Sequence, residues 1–252
     1  MRIEKIKTIR KKLQHNQVSI GTWQQIPHAS ISEILGNAGY DWIAVDIEHG
    51  SVGVDQLPDL FRAIELGGTL PLARIAESKP KDCKQALDAG AGGIIAPMIE
   101  NAEQLKMVRN ACNWPPTGTR GVGFSRANLF GKHFDKYKEE AQSLLLIAQI
   151  EHINAVNNLE EILQVNGLDA IIVGPYDLSA SMGITGEFDS HEFIDVMDSI
   201  INRCKKYNIP CGDHVVQPNQ KLLEKRIQQG YRFIAFGTDG VFMYTNCQNP
   251  RK

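Results

Sequence analysis

Short runs of β-branched and aliphatic residues alternate with amphipathic stretches along the whole chain, and this alternation constrains the fold more than any other feature. The runs are VSIGTW (18–23), DWIAVDIE (41–48), TLPLARI (69–75), AGGIIAPM (91–98), LLLIAQIE (144–151), LDAIIVG (168–174), IPCGDHVV (209–216) and RFIAFGTD (232–239). Between them lie SISEILGNAG, VDQLPDLFRAIELGG, KDCKQALDAG, NAEQLKMVRNAC, NLEEILQVNG and PNQKLLEKRIQQG, several closing on a glycine, as helices do. Apolar strands separated by helices are buried on both faces and therefore parallel. Eight such units fill 252 residues, the usual length of a (β/α)8 barrel, so the predicted fold is one α/β TIM barrel over residues 1–252. Ile3, Ile6, Ile9 and Leu13 recur at helical spacing and predict an N-terminal helix ahead of the first strand. Residues 113–143, which carry Phe124, Phe130, Phe134 and Tyr137, break the pattern after strand 4 and read as a long loop–helix insertion. Such insertions serve as lids or subunit contacts.

Composition narrows the partners. A formal net charge of −2 gives no general attraction to nucleic acid or to a membrane surface, and no apolar run approaches the length of a membrane span. The charged N-terminus lacks the apolar core of a signal peptide. Five cysteines (83, 112, 204, 211 and 247), an odd number without a CxxC pair, suit reduced thiols in a cytoplasmic protein.

Active sites of barrels are built from the loops that follow the strands. The ends of the predicted strands carry Asp46, Glu48 and His49 (strand 2), Arg74 (strand 3), Glu100 (strand 4), and Gln149 and Glu151 (strand 5). Asp177 in GPYDLSAS follows strand 6, Asp213 and His214 lie in strand 7, and Thr238 and Asp239 end strand 8. Opposite charges thus converge on one rim. Glu151 and Asp177, from neighbouring units, suit a hard divalent cation that keeps positions open for substrate oxygens. A purely structural role, capping the helix that follows, is the alternative for each. Arg74 ends an apolar strand, where an unpaired guanidinium is costly, so it should face the mouth and meet a carboxylate or a developing oxyanion. It could equally be the partner of Asp46 or Glu48. His49 carries an imidazole, a side chain suited to proton transfer, with a satisfied turn histidine as its alternative.

No predicted strand contains the lysine that a Schiff-base aldolase needs. No GxxxxGK[ST] or GxGxxG segment is present, which argues against nucleotide cofactors. Enolate chemistry at this rim would therefore use a metal.

Taken together, GTW (21–23), AGYDWIAVDIEHG (38–50), PLARI (71–75), LDAGAGGIIAPMIE (87–100), PPTGTRGVGFSRAN (115–128), QIE (149–151), GLDAIIVGPYDLSASMG (167–183) and FGTD (236–239) resemble the HpcH/HpaI aldolase family, the metal-dependent class II pyruvate aldolases. The resemblance implies reversible cleavage of a 4-hydroxy-2-oxoacid to pyruvate and an aldehyde through a pyruvate enolate. It implies that Glu151 and Asp177 ligate Mg²⁺, Mn²⁺ or Co²⁺, that Arg74 steadies the keto oxygen, and that His49 transfers a proton. It also implies that Asp88 of a neighbouring subunit pairs with His49, and that Asp46 orients the loop carrying that histidine. Gln149 would lie against pyruvate, and backbone amides near Gly174 and Pro175 would hold its carboxylate. A homo-oligomer, trimeric or hexameric, with active sites near subunit interfaces is implied as well.

One segment departs from the family pattern. CGDHVV (211–216) puts Asp213 and His214 where family members commonly carry small or apolar residues on the aldehyde side. A polar wall there would suit a hydroxylated acceptor, although the two residues could simply bond each other or water. Two rival readings remain at this stage: a metal-dependent decarboxylase of oxaloacetate or a related 2-oxoacid, and a non-catalytic barrel retaining a metal site.

Overall fold

The computed structural model describes residues 2–247 and 249–251. Its eight strands, β1 (Ser19–Gln24), β2 (Trp42–Asp46), β3 (Leu70–Arg74), β4 (Gly93–Ala96), β5 (Leu145–Ile150), β6 (Ala170–Val173), β7 (Cys211–Val215) and β8 (Phe233–Thr238), close into a barrel in sequence order. Every neighbouring pair is parallel, including β1 with β8. Strands β2 to β8 lie inside their predicted runs and stop short of their ends, while β1 extends one residue past its run, to Gln24. Glu48, Glu151 and Asp239 therefore belong to the loops of the mouth, not to the ladder.

Ahead of the barrel, α1 (Arg2–Gln14) buries Ile3, Ile6, Ile9 and Leu13, as their spacing requires. Around it lie α2 (Ala29–Gly36), α3 (Leu57–Leu66), α4 (Pro80–Ala89) and α5 (Ala102–Cys112). The insertion forms a 3-10 turn (Arg126–Asn128) and α6 (Phe134–Glu140). Then follow α7 (Ile153–Asn157), α8 (Leu159–Leu163), α9 (Pro175–Ser181), α10 (His191–Tyr207), α11 (Gln220–Gln229) and α12 (Asp239–Asn246). The longest, α10, fills an interval for which the amphipathic stretches above name no helix. Ser190 caps its start by accepting from the N–H of Phe193, and the chain leaves it through left-handed Asn208. None of the described helices is long and apolar enough to cross a membrane.

The register fixes what fills the barrel. Gly21, Trp42 and Leu70 stand side by side, as do Trp23, Ala44 and Leu72, and then Asp46 and Arg74. On the other wall, Gly93 pairs with Leu145, Gln149 with Ile172, Ile172 with Gly212, and His214 with Ala235. Trp42 from β2 stacks on Phe233 from β8 at 4.3 Å, across the intervening β1. That contact needs Gly21, because a Cβ there would fall 2.0 Å from the Trp42 ring. The floor is thus an apolar plug of Trp42, Phe233 and Leu70, all fully buried, and the polar residues sit one or two layers above it. Close packing of such a plug makes it rigid support for the mouth.

Trp42→Ala should cost roughly 3–5 kcal/mol of unfolding free energy in urea, the range for deleting a large buried aromatic. A loss below about 1 kcal/mol would mean the stacked pair is not structurally required.

Candidate active site

β2 and β3 run side by side with Asp46 in register with Arg74. Asp46 is fully buried, and its carboxylate accepts from Arg74 Nε at 2.9 Å and Nη2 at 2.6 Å, the two-pronged geometry that guanidinium favours. The same carboxylate accepts from Gln25 Nε2 at 2.9 Å and from the backbone N–H groups of Glu48 at 3.1 Å and His49 at 3.2 Å. Burial by itself would raise its pKa, but the guanidinium, the amide and the backbone donors outweigh that and hold it below the usual carboxylate range. Asp46 therefore fixes both the Arg74 side chain and the turn that presents His49. The His49 side chain is exposed at the rim.

Gln25 is itself held. Its backbone N–H and that of Ile26 donate to the buried carboxylate of Asp239, at 3.0 and 2.8 Å. The end of β8, the first loop and the end of β2 form one hydrogen-bonded arc. Arg74 lies over the Trp23 ring at 4.5 Å, within cation–π range, and Trp23 in turn meets the His214 ring at 5.6 Å. Arg74 Nη1 also approaches Glu48 Oε2 to 3.1 Å, out of line for a hydrogen bond. Burial, opposed by Arg74 and reinforced by Glu151, Asp46 and Asp177, pushes Glu48 up to about 7.

Across the mouth, Glu151 is buried at the end of β5. Its Oε1 accepts from the backbone N–H of Met98 at 2.6 Å and its Oε2 from the Gln149 amide. Burial raises its pKa against those two bonds, and the nearby charge of Asp177 raises it further. Gln149 Oε1 is buried with no partner. Asp177 sits exposed in the first turn of α9, whose first residue is Pro175. Gly174 leads into that turn and must lack a side chain: a Cβ there would fall 2.7 Å from Glu151 Oε2 and 3.2 Å from Gln149 Nε2.

Among the described residues no three or more His, Cys, Asp or Glu side chains converge as a closed cation cage. What Glu151 and Asp177 offer is a pair of hard oxygen ligands, with an unpartnered amide oxygen beside them. Two neighbouring carboxylates of like charge are stabilised by a divalent cation between them. A site with two protein ligands also leaves positions for substrate oxygens, as Mg²⁺ and Mn²⁺ sites do. The donor set fits such a cation.

Several sequence expectations need correction. Asp213 does not line the mouth: it has the opposite parity to His214, faces the helix layer, and pairs with Arg226 Nε of α11 at 2.6 Å. Only His214 contributes polarity on that side. Its Nε2 lies 3.4 Å from the Gly237 carbonyl, and burial pushes its pKa down to about 4, so the ring is neutral. Of the backbone near Gly174 and Pro175, neither of those two residues has a free amide, since the Gly174 N–H donates to the Ile150 carbonyl at 3.0 Å and proline has none. The donors without a helical acceptor at that corner are the N–H groups of Tyr176 and Asp177. Asp88 lies near the end of α4, just before Gly90 leads into the start of β4, and so toward the opposite end of the barrel from His49. It meets Arg120 at 3.3 Å; the expectation for Asp88 concerns a pairing between subunits.

Gln25, Trp23 and Met98 enter the site without having been assigned a role there from sequence, whereas Glu48 takes up the place beside Arg74 that the sequence offered it. Glu48 had a signal, as the second carboxylate of DIEH. Met98 had none, because its contribution is a backbone N–H.

Comparisons with known proteins point to one family. The family model for HpcH/HpaI aldolase/citrate lyase matches residues 19–245. A 2-dehydro-3,6-dideoxy-6-sulfogluconate aldolase of Pseudomonas putida is 37% identical over 93% of this chain and 92% of its own. A hydroxypyruvate/pyruvate aldolase of Roseobacter denitrificans is 34% identical over 93% and 91%. In structure, an HpcH/HpaI aldolase/citrate lyase family protein from Burkholderia cenocepacia superposes with a TM-score of 0.89 at 28% identity, covering 94% of this chain and 95% of that one.

Asp46→Asn should destabilise the protein by about 3–5 kcal/mol at pH 7, because Arg74 then stays buried without its counter-charge. Since the folded pKa of Asp46 is depressed, this contribution is present above the ordinary aspartate pKa of about 3.9 and is lost as pH falls through the lowered value. Urea titrations of both proteins at pH 7 and near pH 3 should show the gap narrowing; a gap independent of pH would contradict the assignment.

Proposed function

The chain belongs to the HpcH/HpaI aldolase/citrate lyase family, and from that premise we propose that it is a metal-dependent carbon–carbon lyase that reversibly cleaves a 4-hydroxy-2-oxoacid to pyruvate and an aldehyde. The observation that carries this reading is the pairing of a cation and an acid site across one mouth. Arg74 is locked by Asp46 on one wall, and the buried Glu151 stands with Asp177 on the other.

Glu151 and Asp177 hold the divalent cation, Mg²⁺, Mn²⁺ or Co²⁺, which when bound supplies Lewis-acid polarisation of the keto oxygen. Arg74 adds a second positive charge against negative charge building on that oxygen. A preorganised donor of this kind contributes roughly 3–4 kcal/mol to a barrier. In the cleavage direction His49 takes the proton of the C4 hydroxyl, the C3–C4 bond breaks, and its electron pair remains on the pyruvate fragment as an enolate. Protonation at C3 then yields the methyl group. Gln149 lies against pyruvate, and the N–H groups of Tyr176 and Asp177 meet its carboxylate. Asp88 of a neighbouring copy pairs with His49 in a homotrimer or hexamer. Val122, Phe124, Leu129 and Phe130, exposed on the insertion, support burial against another copy. The neutral His214 ring favours an acceptor aldehyde that carries a hydroxyl group.

The test is product analysis of a panel of 4-hydroxy-2-oxoacids with each metal and with chelator. Pyruvate and aldehyde should appear in equal amounts with metal only, and Glu151→Gln should lower kcat/KM by at least about 100-fold. Release of carbon dioxide without aldehyde would instead indicate a decarboxylase, and no turnover of any 2-oxoacid a barrel without this chemistry. His214→Ala should lower kcat/KM for hydroxylated acceptors about 3- to 10-fold while sparing apolar ones; an unchanged preference would remove His214 from acceptor recognition.

A further inference from the structure

Met98 is a non-glycine residue held in the left-handed region, at φ 50, two residues beyond the end of β4. That conformation is costly for an L-residue and persists only where the surroundings impose it. Glycine would adopt it freely. Two things follow from the backbone at this point. The Met98 N–H is aimed across to β5, where it donates to Glu151 Oε1 at 2.6 Å. The side chain is turned outward, 43% exposed, and lines a cavity of about 330 Å³ with Met107, Ser78, Lys79 and Glu48.

Glu151 has two donors, the Met98 N–H on one oxygen and the Gln149 amide on the other. The Gln149 amide belongs to a side chain that can turn. The Met98 N–H cannot turn without changing the path of the chain, which is pinned next to it: Ser78 Oγ donates to the Pro97 carbonyl at 2.6 Å. Ile99 on the other side is fully buried. The backbone at Met98 is therefore the rigid one of the two supports.

We propose that Met98 is a positioning residue that acts through its backbone: its left-handed conformation sets the orientation of the Glu151 carboxylate and so the affinity of the site for a divalent cation, while its side chain is dispensable for that role. This rests on the reading above that Glu151 and Asp177 hold the cation. Partners that orient a metal ligand change affinity about 10- to 100-fold when lost.

The test uses the full-length protein and Mn²⁺ alone, with free Mn²⁺ read by electron paramagnetic resonance, so that turnover is not the measure. Wild type should bind one Mn²⁺ per chain, and Glu151→Gln should abolish it. Met98→Gly keeps the N–H, accepts positive φ and deletes the side chain; its Kd should stay within about twofold of wild type. Met98→Val, β-branched and averse to positive φ, should weaken Kd about 10-fold or more while the barrel remains folded by circular dichroism. If Met98→Val is unfolded, Met98→Thr, also β-branched and averse to positive φ, takes its place with the same expected loss, and a Kd equal to that of wild type would overturn the proposal. Equal Kd for Met98→Val and wild type, or a Met98→Gly as weak as Met98→Val, would overturn the proposal. Absence of Mn²⁺ binding in wild type would overturn the metal reading and this inference with it.

Discussion

The buried ion pair between Asp46 and Arg74 is the interaction on which the mouth depends. Arg74 closes an apolar strand, and without a partner its charge could not remain there. Asp46 supplies that partner from the adjacent strand and takes donors from Gln25 and from the turn that carries His49. One carboxylate thus orients the Arg74 guanidinium and the loop that carries His49 together. The pair in turn rests on the Trp42–Phe233 plug, which Gly21 makes room for.

The opposite wall has the reverse electrostatic character. Glu151 is buried on two neutral donors, with Asp177 near enough to raise its pKa, while Arg74 is engaged by Asp46 and Glu48. An anionic wall facing a satisfied cation is an unbalanced arrangement for an empty mouth and a balanced one for a mouth that holds a divalent ion with an anionic substrate. Glu48, lifted to about 7 by burial and by the acids around it, reports the same excess of negative charge.

The barrel was legible in the sequence because parallel strands buried on both faces leave uninterrupted apolar runs, and the register that follows from eight such runs leaves little freedom. The residues that end those runs were legible for the same reason: Asp46, Arg74 and Glu151 stand out as charges closing apolar segments. What the sequence did not reveal depends on parity and on the backbone. Asp213 and His214 are adjacent letters, yet one faces Arg226 in the helix layer and the other the mouth. Met98 contributes an N–H whose direction depends on φ, which a methionine codon does not specify. The helix α10 passed unassigned because its acidic and basic residues, from Glu192 to Lys206, dilute the apolar stripe of Phe193, Met197, Ile200, Ile201 and Cys204.

The central claim is that this mouth makes pyruvate enolate, and it can be tested without knowing the aldehyde. Pyruvate in deuterated water with Mg²⁺, Mn²⁺ or Co²⁺ should lose its methyl proton signal by NMR in the presence of the protein. That loss should stop with chelator and in Arg74→Ala and Glu151→Gln. No exchange with any metal, or exchange that survives both substitutions, would contradict the account.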